Sequence, residues 1–191
     1  LLGIIYIMNN PLTLDDIDPK IKSKVYTQNY DPKPSIDGVK IIQLKEMSGE
    51  DSDFSEILRI TSSGEAQLFP GFRIAQINRS TQIAGSVKAW HLHLIQDEVW
   101  YVPDESRLLT GLWDVRANSP TKGVTMRIPM GGGSRRMVFI PHGVAHGSVN
   151  LTVETGIIMY FMNSQFDTKS PDEHRIPWDS LGSDFWTPQR D

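Results

Sequence analysis

The 191-residue sequence contains no cysteine, which excludes disulfide bridges and thiolate metal ligands and fits a reducing, cytoplasmic setting. It has no block of like charge. Its 19 Lys and Arg stand against 23 Asp and Glu, and no basic cluster offers the footprint of a nucleic-acid-binding surface. It also lacks any long apolar run. The opening Leu1-Leu2-Gly3-Ile4-Ile5-Tyr6-Ile7 has no basic start, no small-residue cleavage site and too little length to span a bilayer, so neither export nor a membrane anchor is expected. Met8 follows, and the fold reading begins beyond this segment. What remains is ordinary in hydrophobic content (39%) and charge (22%), and long enough for one domain with a sizeable core.

Residues 1–38 read as an N-terminal arm, polar and interrupted by Pro11, Pro19, Pro32 and Pro34. Thr13 is a candidate helix cap, because Asp15 and Asp16 suit a first turn. From residue 39 to 163 the texture is β. Short apolar or alternating runs at 39–44, 56–60, 72–79, 87–94, 98–102, 108–115, 124–128, 137–140, 146–151 and 156–162 are separated by turn residues. Alternation over 72–79 puts Arg73, Ala75, Ile77 and Arg79 on one face and Ile74, Gln76 and Asn78 on the other. So many short strands without a helical period predict a sandwich or small barrel. Residues 164–191 form a tail rich in Pro, Asp and Trp, expected to pack on that barrel.

Two groups of residues carry chemistry. Gly85 is followed at His91-Leu92-His93 and Glu98 by one spacing, and Pro141-x-Gly143-x-x-His146-x-x-x-Asn150 gives a second. His91 and His93 are two apart on a strand and so share a face. Glu98 and His146 can converge on it from other strands. Three imidazoles and a carboxylate are an ordinary donor set for Zn, Fe, Mn or Ni. The two spacings resemble the paired motifs of cupins, which implies an all-β double-stranded β-helix (jelly-roll) barrel with these side chains inside. His142, in a turn, and His174, in the tail, read as surface groups, and Asp114 with Arg116 as a structural ion pair.

The stretch 76–186 is similar to a narrower group. Its residues are Gln76-Ile77-Asn78-Arg79-Ser80, Lys88-Ala89-Trp90-His91, Asp114-Val115-Arg116, Arg135-Arg136-Met137-x-x-Ile140-Pro141-x-Gly143-x-Ala145-His146-Gly147, Met159-Tyr160, Ser170-Pro171-Asp172-Glu173-His174 and Trp178-Asp179. They resemble the dTDP-4-dehydrorhamnose 3,5-epimerase family, enzymes that invert carbons next to a C4 ketone of a nucleotide-activated sugar. Such inversion needs a base on one face of the ring, an acid on the other and a stabilised enolate. The resemblance assigns His91 as base, Tyr160 as acid and His146 as a histidine near the keto oxygen. It assigns Gln76, Asn78, Lys88, Glu56, His93 and Arg136 to substrate binding, with Lys88 in place of a diphosphate-binding arginine. It implies no cofactor, a nucleotide-sugar partner and a homodimer.

The sequence departs from the family at four places, one of them Thr110, near which an interior aspartate is expected. Asp51-Ser52-Asp53-Phe54-Ser55-Glu56 lacks the expected arginine, Gln96-Asp97-Glu98 stands where a site lysine is expected, and no aspartate in the expected context follows the final tryptophan to partner the base. Two alternatives therefore remain open. One is a metal-dependent cupin, an isomerase or oxygenase, with His91, His93, Glu98 and His146 holding a divalent transition metal. The other is an inactive carbohydrate-binding relative, in which Tyr160 is a core tyrosine.

Overall fold

The structure, a computed structural model, describes residues 11–189, so the apolar opening segment lies outside the described residues. The chain divides into two compact units, Leu1–Lys33 and Pro34–Asp191. In the first, the Thr13 side chain accepts from the Asp15 amide while Asp16 accepts from the Thr13 amide, closing a capping box on a short 3-10 turn, Leu14–Asp16. A four-residue helix, α1 (Pro19–Lys22), follows an Asp18 cap.

The second unit is built from twelve strands: β1 (Lys40–Gln43), β2 (Glu46–Ser48), β3 (Asp53–Ser55), β4 (Gln76–Gln82), β5 (Val87–Leu92), β6 (Glu98–Tyr101), β7 (Arg107–Asp114), β8 (Thr125–Gly131), β9 (Arg136–Ile140), β10 (Val144–Val149), β11 (Gly156–Met162) and β12 (His174–Arg175). One antiparallel sheet runs β1-β9-β6-β11-β4 and a second β12-β5-β10-β7-β8, while β2 and β3 form a separate hairpin. The all-β jelly roll is as expected. Its sheets are not hydrogen-bonded into a closed barrel; side chains pack the space between them.

Alternation along the strands sets that packing. Trp100, Val138, Ile140 and Ile158 from the first sheet meet Leu112, Ile128, Met130 and Val144 from the second, all buried. Ile36 joins this core, so residues just past Lys33 belong to the sandwich rather than to an arm. β6 is buried along its whole length because both of its faces are covered. Trp100 points between the sheets, and Val99 and Tyr101 point outward beneath Ala66, Phe69 and Phe72. That outer cover explains two departures from the expected strands. Residues 56–60 form no strand and pair only through an isolated Ile60–Ala66 bridge, and the strand expected from 72 starts at Gln76, since 64–75 turns repeatedly to lay its aromatics on the sheet.

The tail covers the opposite outer face. Trp90 is fully buried beside Trp186 and Phe185, with ring centroids 4.7 and 5.2 Å away. Gly111 makes room for them, because a Cβ there would lie 2.7 Å from both Phe185 and Trp186. The turn into β10 places Gly143 at φ +78°, third in a Pro141–Val144 turn that favours glycine at this position. Its amide donates to the His93 carbonyl at 2.7 Å, tying the second motif to the end of the first.

Candidate active site

A cavity of about 380 Å³ opens between the two sheets, with the inner-facing side chains of β4, β5, β6, β10 and β11 as walls and the tail along one rim. β5 reaches it by an irregularity. His91 pairs with His146 across the ladder, but Lys88 pairs with Ser148, so Ala89 and Trp90 of β5 together oppose Gly147 of β10. This bulge lets Lys88 and His91 both line the cavity, although strict alternation would put them on opposite faces. Trp90, in the bulge, turns outward into the tail's aromatic cluster and anchors the strand there.

The tail then supplies partners for β5. β12 pairs antiparallel with it, setting Arg175 opposite His91. Glu173 Oε1 lies 2.8 Å from His91 Nδ1, and Arg175 Nη1 lies 2.7 Å from His91 Nε2. A guanidinium can only donate, so Nε2 is the unprotonated nitrogen and Nδ1–H donates to Glu173. Arg175 Nη2 closes the triangle at 2.9 Å from Glu173. Asp172 fixes the neighbouring loop by accepting from the amides of Leu94, Ile95 and Gln96, each at 2.8 Å.

Deeper in, Glu98 is buried and receives Trp100 Nε1 at 2.5 Å on one oxygen and Gln96 Nε2 at 2.8 Å on the other. His93 Nε2 approaches Glu98 Oε1 at 3.3 Å, and His146 Nε2 approaches Oε2 at 3.5 Å. The other nitrogen of each ring faces a backbone carbonyl, Asp172 for His93 and Val144 for His146. The His146 ring lies between those of His91 and His93, with centroids 6.0 and 5.2 Å away, and Trp100 meets it edge-on. Tyr160 projects from β11 on the facing sheet, with its ring 5.1 Å from Trp100.

Electrostatics separate these groups. Burial, reinforced by His146 and Arg175, lowers the His91 pKa to about 4 despite Glu173, so the imidazole is neutral at neutral pH. Burial likewise lowers His146. His93 is raised: burial opposes its charge, but the hydrogen bond and charge of Glu98 prevail. Glu98 falls to about 2, because His93, His146 and Trp100 outweigh its burial. Burial raises the Tyr160 phenol to about 12.

Most of the expected site residues meet in this one cavity. His91, His93, His146, Tyr160, Gln76, Asn78, Lys88 and Glu98 all line it. Gln76 donates to Asn78 at 3.0 Å and accepts from the Phe166 amide at 2.9 Å, and Lys88 donates to Ser80 Oγ at 2.8 Å. Two do not join them. Glu56 lies beyond the β2–β3 hairpin, exposed and paired with Arg59 at 2.6 Å, and Arg136, on β9, is not among the lining residues. His91 is also absent from the cluster whose ligand atoms converge, which is His93, Glu98 and His146 alone. Glu173 and Arg175 carry no spacing signal, since sheet pairing rather than sequence proximity brings them to His91. His142 and His174 are on the surface and Asp114–Arg116 is an ion pair, as expected.

The jelly roll and its intersheet cavity, walled by imidazoles on one side and a phenol on the other, define a cupin-like protein. The comparisons narrow this. The profile of the dTDP-4-dehydrorhamnose 3,5-epimerase family matches residues 33–187. The spore coat polysaccharide biosynthesis protein SpsL of Bacillus subtilis is 36% identical over 144 residues, covering 75% of this chain and 91% of that protein. Among solved structures, RmlC, the dTDP-6-deoxy-D-glucose-3,5-epimerase of Legionella pneumophila in complex with dTDP-4-keto-L-rhamnose, aligns at TM-score 0.64 and 25% identity over 75% of each chain. NovW of Streptomyces spheroides, a 4-keto-6-deoxy sugar epimerase, aligns at TM-score 0.68 and 24% identity over 82% of this chain and 78% of its own. The chain belongs to the dTDP-4-dehydrorhamnose 3,5-epimerase family and is an enzyme of the epimerase type. Among the described residues no helix is long and apolar enough to cross a membrane.

Proposed function

We propose that the chain epimerises a nucleotide-activated 4-keto-6-deoxy sugar by removing and returning a proton on a carbon next to the C4 ketone. The observation that supports this reading is that the His91 imidazole on β5 and the Tyr160 phenol on β11 line one cavity from facing sheets. His91 Nε2 takes the proton from the carbon, and the electron pair moves to the C4 oxygen as an enolate. Tyr160, un-ionised at neutral pH, returns a proton to the opposite face, and solvent restores both groups.

Glu173 acts through His91. By accepting from Nδ1–H it presents the Nε2 lone pair and favours the imidazolium once formed, the role an acid partner plays for a general base. Arg175 holds that lone pair in this structure and is displaced by substrate. His146 faces the developing enolate oxygen. Gln76 and Asn78 suit a nucleotide base, and Lys88 suits a diphosphate as a point charge. These proton transfers need no cofactor. The same reading takes the cytoplasm as compartment and a homodimer as working unit; exposed Met47 and Phe54, paired across the β2–β3 hairpin, support the latter.

Incubation with dTDP-4-keto-6-deoxyglucose in deuterated water tests the reaction. Deuterium at the inverted carbon is expected with the wild type, and none with His91→Asn. Tyr160→Phe is expected to keep exchange at that carbon and lose inversion. Wild-type protein that neither exchanges nor is thermally stabilised by any sugar nucleotide refutes the reading.

A further inference from the structure

The base is covered at the atom where it has to react. Proton abstraction needs a free lone pair on His91 Nε2, and the Arg175 guanidinium stands on that atom at 2.7 Å while its other arm holds Glu173 at 2.9 Å. A carbon-bound proton reaches Nε2 only once Arg175 moves. The surroundings allow that movement. The Arg175 side chain is 57% exposed and rises from a two-residue strand at the edge of its sheet, so it turns aside without opening a void in the core. The cavity is also short of cations for a nucleoside diphosphate. Lys88 is the only Lys or Arg among its lining residues, against Glu98, Asp167, Asp172 and Glu173.

We propose that Arg175 makes the base conditional on the substrate's diphosphate: the guanidinium leaves His91 Nε2 for a phosphate oxygen, and that transfer uncovers the lone pair beside the sugar. Arg175 is then a specificity-determining residue, an inference that rests on the epimerase reading above. Position favours the transfer. β12 sets Arg175 opposite His91, with Cα atoms about 5 Å apart across the ladder. Lys88 stands farther back on the same strand, roughly 10 Å from His91, so two long cationic side chains flank the imidazole. The acceptors differ in charge. The planar fork of a guanidinium matches a phosphate bidentately, and a bond to an anionic oxygen is stronger than one to a neutral ring nitrogen, so a diphosphate wins the exchange. Glu173 keeps its bond to Nδ1–H and holds the ring while Nε2 is uncovered. Departure of the guanidinium also strengthens the base, because its charge joins burial and His146 in disfavouring the imidazolium. A keto sugar that carries no diphosphate meets a covered base.

The test reads the covered atom. Protein carrying nitrogen-labelled histidine is titrated with dTDP, and the His91 Nε2 resonance, assigned by its loss in His91→Asn, is followed by NMR. In the wild type, dTDP is expected to move it to the position that Arg175→Gln shows without nucleotide, and thymidine to leave it in place. By calorimetry, Arg175→Gln should bind dTDP at least about tenfold more weakly and thymidine within about threefold of the wild type. A wild-type resonance that neither dTDP nor inorganic pyrophosphate moves, or a folded Arg175→Gln that binds dTDP as tightly as the wild type, overturns the proposal. Should Arg175→Gln fail to fold by thermal melting, the wild-type titration decides. Solvent deuterium exchange into free 4-keto-6-deoxyglucose is measured on the same samples. Added dTDP is expected to speed it at least about tenfold in the wild type and to leave it unchanged in Arg175→Gln, where the base is already free; equal activation of both proteins overturns the proposal. Protein in which dTDP uncovers Nε2 but no sugar exchanges defeats the epimerase reading and not the transfer of Arg175. Exchange of the nucleotide sugar with an unmoved resonance does the reverse.

Discussion

Replacing Glu173 by Gln tests how the base is prepared. The carboxylate accepts from His91 Nδ1–H at 2.8 Å, and its side chain is 33% exposed, so water screens part of the interaction. A hydrogen bond to a charged group contributes about 1.5–3 kcal/mol. If the full bond forms only when His91 becomes imidazolium, that range corresponds to roughly a ten- to hundredfold loss in kcat. The exposure places the expected loss toward the lower end. The amide adds a second effect, because its NH2 group can donate to Nδ1 and favour the tautomer whose Nε2 is protonated, which removes the base. Glu173 bonds to none of Gln76, Asn78 and Lys88, and its replacement leaves Arg175 in place, so KM should change less than about threefold. The assay is initial rate against substrate concentration by coupled detection of the inverted product, with thermal melting alongside. Glu173→Asp should recover part of kcat, since it restores a carboxylate acceptor. A Glu173→Gln enzyme with wild-type kcat, or one whose loss lies wholly in KM or in stability, refutes the reasoning.

Three further outcomes follow from the same geometry. Asp114 is fully buried and accepts from Arg116, Ser119 and Thr121, which hold its carboxyl well below the usual carboxylate range despite burial. A lowered folded pKa stabilises at pH values above the unfolded one, so Asp114→Asn should cost about 3 kcal/mol at pH 7 in denaturant unfolding. That cost should shrink as pH drops below about 4, and a pH-independent difference would count against it. Tyr160 should ionise only near its raised value of about 12, so the 295 nm difference titration between wild type and Tyr160→Phe should stay flat through pH 10; a step at the ordinary tyrosine value would show a solvated phenol. Gly111→Ala should destabilise by about 1–3 kcal/mol, because the methyl group meets Phe185 and Trp186 and lifts the tail from β7. Unchanged Trp fluorescence and melting in that variant would contradict the described packing.

Period-two patterning made the strands readable wherever one element carried its own signal. β11 was legible to the residue, and β5 through β10 to within a few positions at either end. The pattern failed where tertiary cover replaced it. Residues 72–75 were expected to open a strand, yet they belong to a turning segment that seats Phe69 and Phe72 on a sheet. In the site, His91, His93, Glu98 and His146 were visible from two motifs. Three things were not. The bulge that lets Lys88 and His91 share a face depends on register, which a single sequence does not display. The diversion of His91 from the convergent cluster depends on Glu173 and Arg175, more than eighty residues away and brought in by a two-residue strand. Glu56 was assigned by analogy to a motif whose arginine is missing, and its side chain turned to Arg59 instead.

β12 has only two residues and lies at the edge of its sheet, with Ile176 and Trp90 exchanging backbone hydrogen bonds at 3.2 Å just beyond it. Short edge ladders open at a small fraction of the free energy that unfolds a domain. Yet this ladder carries Arg175 and sits beside Glu173, the two side chains that set the tautomer of His91. Fraying of the edge would leave the sandwich core intact while freeing the imidazole to rotate and to lose its preferred tautomer. Activity should therefore fade at lower temperature or denaturant than the fold does. Hydrogen exchange at the Ile176 amide should follow that loss of function rather than global unfolding.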